Sequence, residues 1–219
     1  MKTTKNISLT LTCLGTALIL AGCATSSGYK KADKTGKGIN EFRDEVVNLK
    51  QAVDGAMASL TKITESAATD PRKSYQDFAK SVDKVETALA KAEKRAADMK
   101  ATGEAYFKQW EEQIADINNP DIRKLSEDRE AKLNELFGKL PPAVEQAKTD
   151  FGPFLSDLKD LRTFLSQDLT VGGVNAAKGI ITKTRDHGVA LQRSLDNLIA
   201  ETDAVATALT PSKLTTEEK

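Results

Sequence analysis

The apolar residues of this chain recur in alternating steps of three and four, the spacing of a coiled-coil seam. From Ile39 the series runs through Phe42, Val46, Leu49, Val53, Ala56, Leu60 and Ile63. It resumes at Tyr75 and continues through Phe78, Val82, Val85, Leu89, Ala92, Ala96, Met99, Gly103, Tyr106 and Trp110, with Gln113 and Ile117 in step. A last series runs Val174, Ala177, Ile181, Thr184, Gly188, Leu191, Leu195, Leu198, Thr202, Val205 and Leu209. Its small and hydroxyl residues allow close helix approach. Aromatic content of 5% beside 39% hydrophobic residues fits helices meeting along such seams.

Between the second and last series the rhythm is less regular. Ile122 and Leu125 open it, Arg129 takes the next seam position, and Leu133, Leu136 and Leu140 follow. The phase then slips by a residue across Pro141-Pro142 before Ala147, Phe151, Phe154, Leu158, Leu161 and Leu165 restore the alternation. An inserted residue changes the local winding, and two prolines remove two amide donors, so a kink or short break is expected there. Gly152-Pro153 predicts a smaller bend.

Helix punctuation sets the boundaries. Asp70-Pro71 and Asn119-Pro120 each place a good N-cap before a proline, so both read as helix starts. Gly172-Gly173 separates the last two segments, and Pro211 stops the final one. The spacing predicts helices near 38–65, 71–118, 120–169 and 174–210. With short links they form an all-α, elongated, antiparallel up-down bundle of four long helices. Seams of this length can close on one another within one chain, which favours a monomer; a dimer swapped through Gly172-Gly173 is the alternative.

The N-terminus reads as a processing signal. Lys2 and Lys5 precede a weakly apolar stretch, Ile7 to Leu20, which ends in Leu20-Ala21-Gly22-Cys23. That ending resembles the lipobox of bacterial lipoproteins, in which cleavage precedes the cysteine and its sulfur carries diacylglycerol. The resemblance implies a signal peptide over 1–22 and a palmitate-type lipidation at Cys23. The stretch is short, and its Ser8, Thr10, Thr12 and Thr16 make it too polar to span a bilayer comfortably. Ala24, where an aspartate would favour the inner membrane in such lipoproteins, implies the outer membrane, facing the periplasm. Residues 23–37 then read as the lipidated cysteine and a flexible basic tether. Its Lys30, Lys31, Lys34 and Lys37 lie within reach of anionic headgroups or are simply solvated. Residues 38–210 form the bundle and 211–219 a polar tail.

The charge and residue counts remove several functional classes. Without residues 1–22 the chain keeps 30 basic against 32 acidic side chains, near neutrality, so attraction to nucleic acid is absent. Cys13 is lost with the signal, which leaves no disulfide. One histidine excludes His-rich zinc sites, paired di-iron motifs and HExxH proteases. His187 flanks seam residue Gly188, and Ser194 stands about 10 Å further along the helix axis, too far for a triad. The carboxylates, among them Glu111-Glu112 and Glu127-Asp128-Glu130, sit on exposed faces and carry no catalytic role. Tyr106 and Trp110 lie on the seam and read as core. No catalytic, metal or cofactor-binding residue is assigned; Cys23 is the single site residue.

The order of these features resembles a family of Gram-negative lipoproteins catalogued as domain of unknown function 2959. The resemblance rests on Tyr106 with Trp110-Glu111, on Ile122-Arg123, Ser126, Arg129 and Leu133, and on Phe151, Phe154, Leu158-Lys159 and Leu165. It covers roughly residues 33 to 209 and implies helical envelope lipoproteins, with no binding or catalytic residues to carry over. The sequence therefore points to a non-enzymatic, membrane-anchored periplasmic spacer, scaffold or adaptor with a protein partner in the envelope. The alternative is a bundle that opens at Pro141-Pro142 or Gly152-Pro153 to shelter a lipid or other apolar ligand.

Overall fold

The computed structural model describes residues 27–210. Residues 1–26, with the expected signal peptide and Cys23, and residues 211–219 lie outside the described residues. Five helices follow in order: α1 (Ser27–Ser66), α2 (Arg72–Ala115), α3 (Pro120–Gly138), α4 (Leu140–Gln167) and α5 (Val171–Leu209). The described residues contain no strand, and none of their helices is long and apolar enough to cross a membrane. The architecture is an all-α helical bundle in which α3 and α4 together take the place of the third rod.

The seam spacing becomes the core. All eight α1 positions from Ile39 to Ile63 are at most 4% exposed. In α5, Val174, Ile181, Leu191, Leu195, Leu198 and Val205 are equally buried, as are Thr184 and Thr202, whose hydroxyls donate back to Ile180 O and Leu198 O. α1 packs along both α2 and α5, and α5 along α4, so α1 and α5 form the spine of the bundle. Cross-helix pairs set the register: Arg43 with Asp203, Lys50 with Asp196, Arg95 Nη1 with Glu41 at 2.9 Å, and Ser59 Oγ with Ser81 Oγ at 2.9 Å. Such half-exposed ion pairs add little stability, but they disfavour slipped alignments.

Several features differ from the sequence expectation. α1 starts at Ser27, so residues 27–37 are helical where a flexible tether is expected. Gly28, Ala32 and Thr35 carry the three-four stepping back from Ile39, and their small size hides it from a hydrophobic count. Thr35 is buried, and Gly36 faces Leu209 of α5. The third rod breaks at Lys139, two residues before the prolines, not at them. Pro141 and Pro142 fall in the first turn of α4, where amides have no intrahelical acceptor in any case. Pro153 does not interrupt the rod: α4 continues through it to Gln167.

Gly172 and Gly173 do not separate helices but lie in the first turn of α5. Thr170 is the cap, its Oγ1 accepting from Gly173 N at 3.1 Å. A Cβ on Gly173 would stand 2.4 Å from Asp168 O, so the chain can turn this tightly only with glycine there. The other two starts follow the expected chemistry: Asp70 accepts from Arg72 N at 3.1 Å, and Asn119 Oδ1 accepts from Asp121 N and Ile122 N.

A further difference concerns the opening of α3. Ile122 and Leu125, expected on the seam, are 54% and 66% exposed. His187 facing Asp157 at 3.0 Å and Ser194 bonded to Asp150 fix the α4–α5 register. Carried along both helices, that register brings Leu209, the end of α5, level with about residue 135. The first turns of α3 therefore run past the last residue of α5, and Leu133 is the one α3 residue that is fully buried.

Within the body of α5 the helices approach closely at Gly188, where an added Cβ would lie 2.4 Å from Met57 Sδ and 3.0 Å from Phe154 Cε2. Gly179, by contrast, faces open space. Gly188→Val should lower unfolding stability by about 1–3 kcal/mol through overpacking. Gly179→Ala should raise it by about 0.5–1 kcal/mol through helix propensity alone. Urea titrations of the two variants check both signs.

Candidate functional site

Above the middle of the bundle, α2 and α4 are joined directly. Tyr75 Oη donates to Arg162 O at 3.2 Å, Arg162 Nη1 meets Asp83 at 2.8 Å, and Lys159 Nζ meets Glu86 at 2.7 Å. Below Leu89 the two helices part. Ala92 and Ala96 on α2 and Ala147 on α4 are small residues on the facing walls and leave space between the rods unfilled. At the lower end Phe107 of α2 and Phe137 of α3 meet edge to face, centroids 5.1 Å apart at 87°, and hold the helices at aromatic distance. Between these two closures lies a groove of about 830 Å³.

The groove floor is the spine of the bundle, Phe42, Val46 and Leu49 of α1 with Leu195 and Leu198 of α5. Its walls are Leu89, Ala92, Ala96, Met99 and Phe107 on one side and Leu140, Val144, Ala147 and Phe151 on the other. Lys100, Lys108 and Lys148 stand on the rim with Glu93, Glu104, Glu111 and Glu145. The α2 wall from Leu89 to Glu111 is about 33 Å long at 1.5 Å per residue. A volume in the range of small-ligand sites, about 300–1,000 Å³, is thus drawn out into a long apolar trench with a charged lip. An extended apolar chain matches that shape better than a compact ring.

Glu130 of α3, expected on an exposed face, is partly buried and lies outside the groove lining. Glu130 has one carboxylate oxygen buried without a hydrogen-bond partner. Burial, and secondarily the neighbouring Glu111, raises its pKa above the ordinary carboxyl value. Gly103 lets Phe137 seat beside α2: a Cβ there would lie 2.5 Å from the Phe137 ring. Sequence reasoning assigned neither residue a role. The available signal was the run of small seam residues, Ala92, Ala96 and Gly103, opposite a phase slip in the third segment.

The residues singled out from the sequence fall elsewhere. Tyr106 and Trp110 are half-buried, their rings tilted at 60° with centroids 5.5 Å apart, and Trp110 Nε1 donates to Ser126 Oγ at 2.9 Å. They clamp α3 to α2 and border a smaller cavity of about 240 Å³ with Gly28, Lys31 and Gln113, outside the main groove. Burial raises the Tyr106 hydroxyl pKa. His187 faces Asp157 across the α4–α5 contact, and Ser194 bonds Asp150, so the two are not brought together. Among the described residues no group of three or more His, Cys, Asp or Glu side chains is arranged to hold a metal. Cys23 lies outside the described residues.

A helical bundle with an apolar interhelical groove is the class that this geometry defines. Residues 22–209 match the family described as "Protein of unknown function (DUF2959)", and the chain belongs to that family. No curated protein and no solved structure matches it.

The raised pKa of Glu130 has a stability consequence of definite sign. A carboxyl whose folded pKa lies above its unfolded value favours folding when protonated and loses that contribution as pH rises through the folded value. Glu130→Gln should therefore be more stable than the parent at pH 7, and the difference should fade below the ordinary value of 4.5. Thermal melts of both proteins between pH 3 and about 8 check the sign.

Proposed function

We propose that this protein is a non-enzymatic lipoprotein of the bacterial envelope, held on the outer membrane through acyl chains on Cys23 and facing the periplasm. Its bundle acts as a spacer or scaffold and holds the apolar chain of a lipid in the groove between α2 and α4. The groove itself carries this reading. It is apolar on floor and walls, open to solvent along one side, and long relative to its volume, as an acyl chain requires. The rim lysines and glutamates suit an amphipathic molecule whose polar end stays at the surface. The groove lies in the half of the bundle that carries the start of α1, with Phe42, Val46 and Leu49 on its floor and Glu111 at its lower end, so it opens near the anchoring surface.

The ligand reading is tested on the unacylated chain from Ala24 to Lys219. Native mass spectrometry should find one copurifying phospholipid or fatty acid per chain. Ala96→Trp, which fills the groove from the α2 wall, should weaken fatty-acid binding by about tenfold or more. A chain that purifies empty and binds no fluorescent fatty acid refutes it. The anchor is tested separately: metabolic labelling with palmitate should mark the parent protein and fail on Cys23→Ala.

A further inference from the structure

The geometry points to a second membrane contact: the tip of the α2–α3 hairpin, carrying Ile122 and Leu125, enters the headgroup region of the bilayer that holds the anchor. The inference rests on the lipidation of Cys23 proposed above, and it deepens that reading by fixing which part of the bundle meets the lipid.

The start of α1 and the α2–α3 turn lie at the same end of the bundle. A Cβ on Gly28 would stand 3.3 Å from the Gln113 side chain, and Trp110 bonds Ser126 across the α2–α3 angle. Ser27 follows Cys23 by four residues, which span at most about 14 Å when fully extended. An acyl-bearing Cys23 thus keeps this end of the molecule at the membrane surface whatever path those residues take. At this end α5 has already stopped, so the face of α3 that bears Ile122 and Leu125 meets no fourth helix.

These are the two most exposed large apolar side chains of the described residues, at 54% and 66%, and they lie three positions apart on one helix face. Lys30, Lys31 and Lys34, all exposed, stand on the opening turns of α1 at the same end. Arg123 is held down by two hydrogen bonds to Ile117 O, at 2.9 and 2.6 Å, which stiffens the turn. Asp33 stands among the α1 lysines, and Asp116 and Asp121 share the tip, so much of the basic charge is offset. Apolar insertion, rather than net charge, is therefore what seats it, with the α1 lysines placed for anionic headgroups.

The test uses the lipidated full chain in vesicles of phosphatidylethanolamine and phosphatidylglycerol. An environment-sensitive fluorophore is attached at Leu125→Cys, or at Thr69→Cys in the exposed α1–α2 turn at the opposite end. Both labelled proteins should float with the vesicles. Lipids brominated near the headgroup should quench the probe at 125 by about half or more and leave that at 69 nearly unchanged. Equal quenching at the two positions overturns the inference while leaving the anchor intact. So does a probe at 125 that is already shielded before vesicles are added, since a second copy or the chain's own tail then covers the face. Failure of both proteins to float overturns the anchor reading and this inference with it.

Discussion

The burial of a single stripe on α1 organises the rest of the molecule. Ile39 to Ile63 supply side chains wide enough to pack on two neighbours at once, and both α2 and α5 close onto them. α4 then packs on α5, and α3 is left at the edge with one fully buried residue. This hierarchy follows from the hydrophobic effect acting on helices of unequal reach: each rod buries its stripe where a partner of matching length exists. Where the partner ends, as α5 does at Leu209, apolar residues stay in solvent.

The groove is a consequence of the same packing, not an addition to it. Interiors are close-packed when facing residues sum to the volume between the backbones. Here the interhelical distance is set above by the Tyr75, Asp83 and Glu86 links between α2 and α4, and below by Phe107 against Phe137. Between these two closures Ala92, Ala96 and Ala147 leave space unfilled beside the larger Met99, Val144 and Phe151. Gly188 shows the opposite outcome from the same chemistry: its missing side chain leaves room that the large side chains of Met57 and Phe154 fill against α5. Whether a small residue makes a tight contact or a cavity depends on its neighbours along the rod.

The elements that the sequence made legible are those governed by local rules. The seams of α1, the upper half of α2, α4 and α5 were readable because large apolar residues mark their period. The starts at Asp70 and Asn119 were readable because capping is a matter of two or three adjacent residues. The stretch from Ser27 to Lys37 was not, because Gly28, Ala32 and Thr35 keep the period without advertising it. The break at Lys139 was legible as an event but not in place, since prolines are tolerated in the first turn of the helix that follows.

The sequence by itself determined that the chain is helical, where most of its helices begin, and which stripe each of them must bury, because these depend on side chains within a few turns of one another. Only the tertiary structure decided that α2 and α4 part over a groove, that Ile122 and Leu125 are bare, and that Tyr106 and Trp110 clamp α3 instead of lining the trench. Those outcomes depend on the relative lengths and registers of helices far apart in the chain, set jointly by pairs such as Arg43 with Asp203 and Ser194 with Asp150. No local pattern encodes where one rod ends beside another.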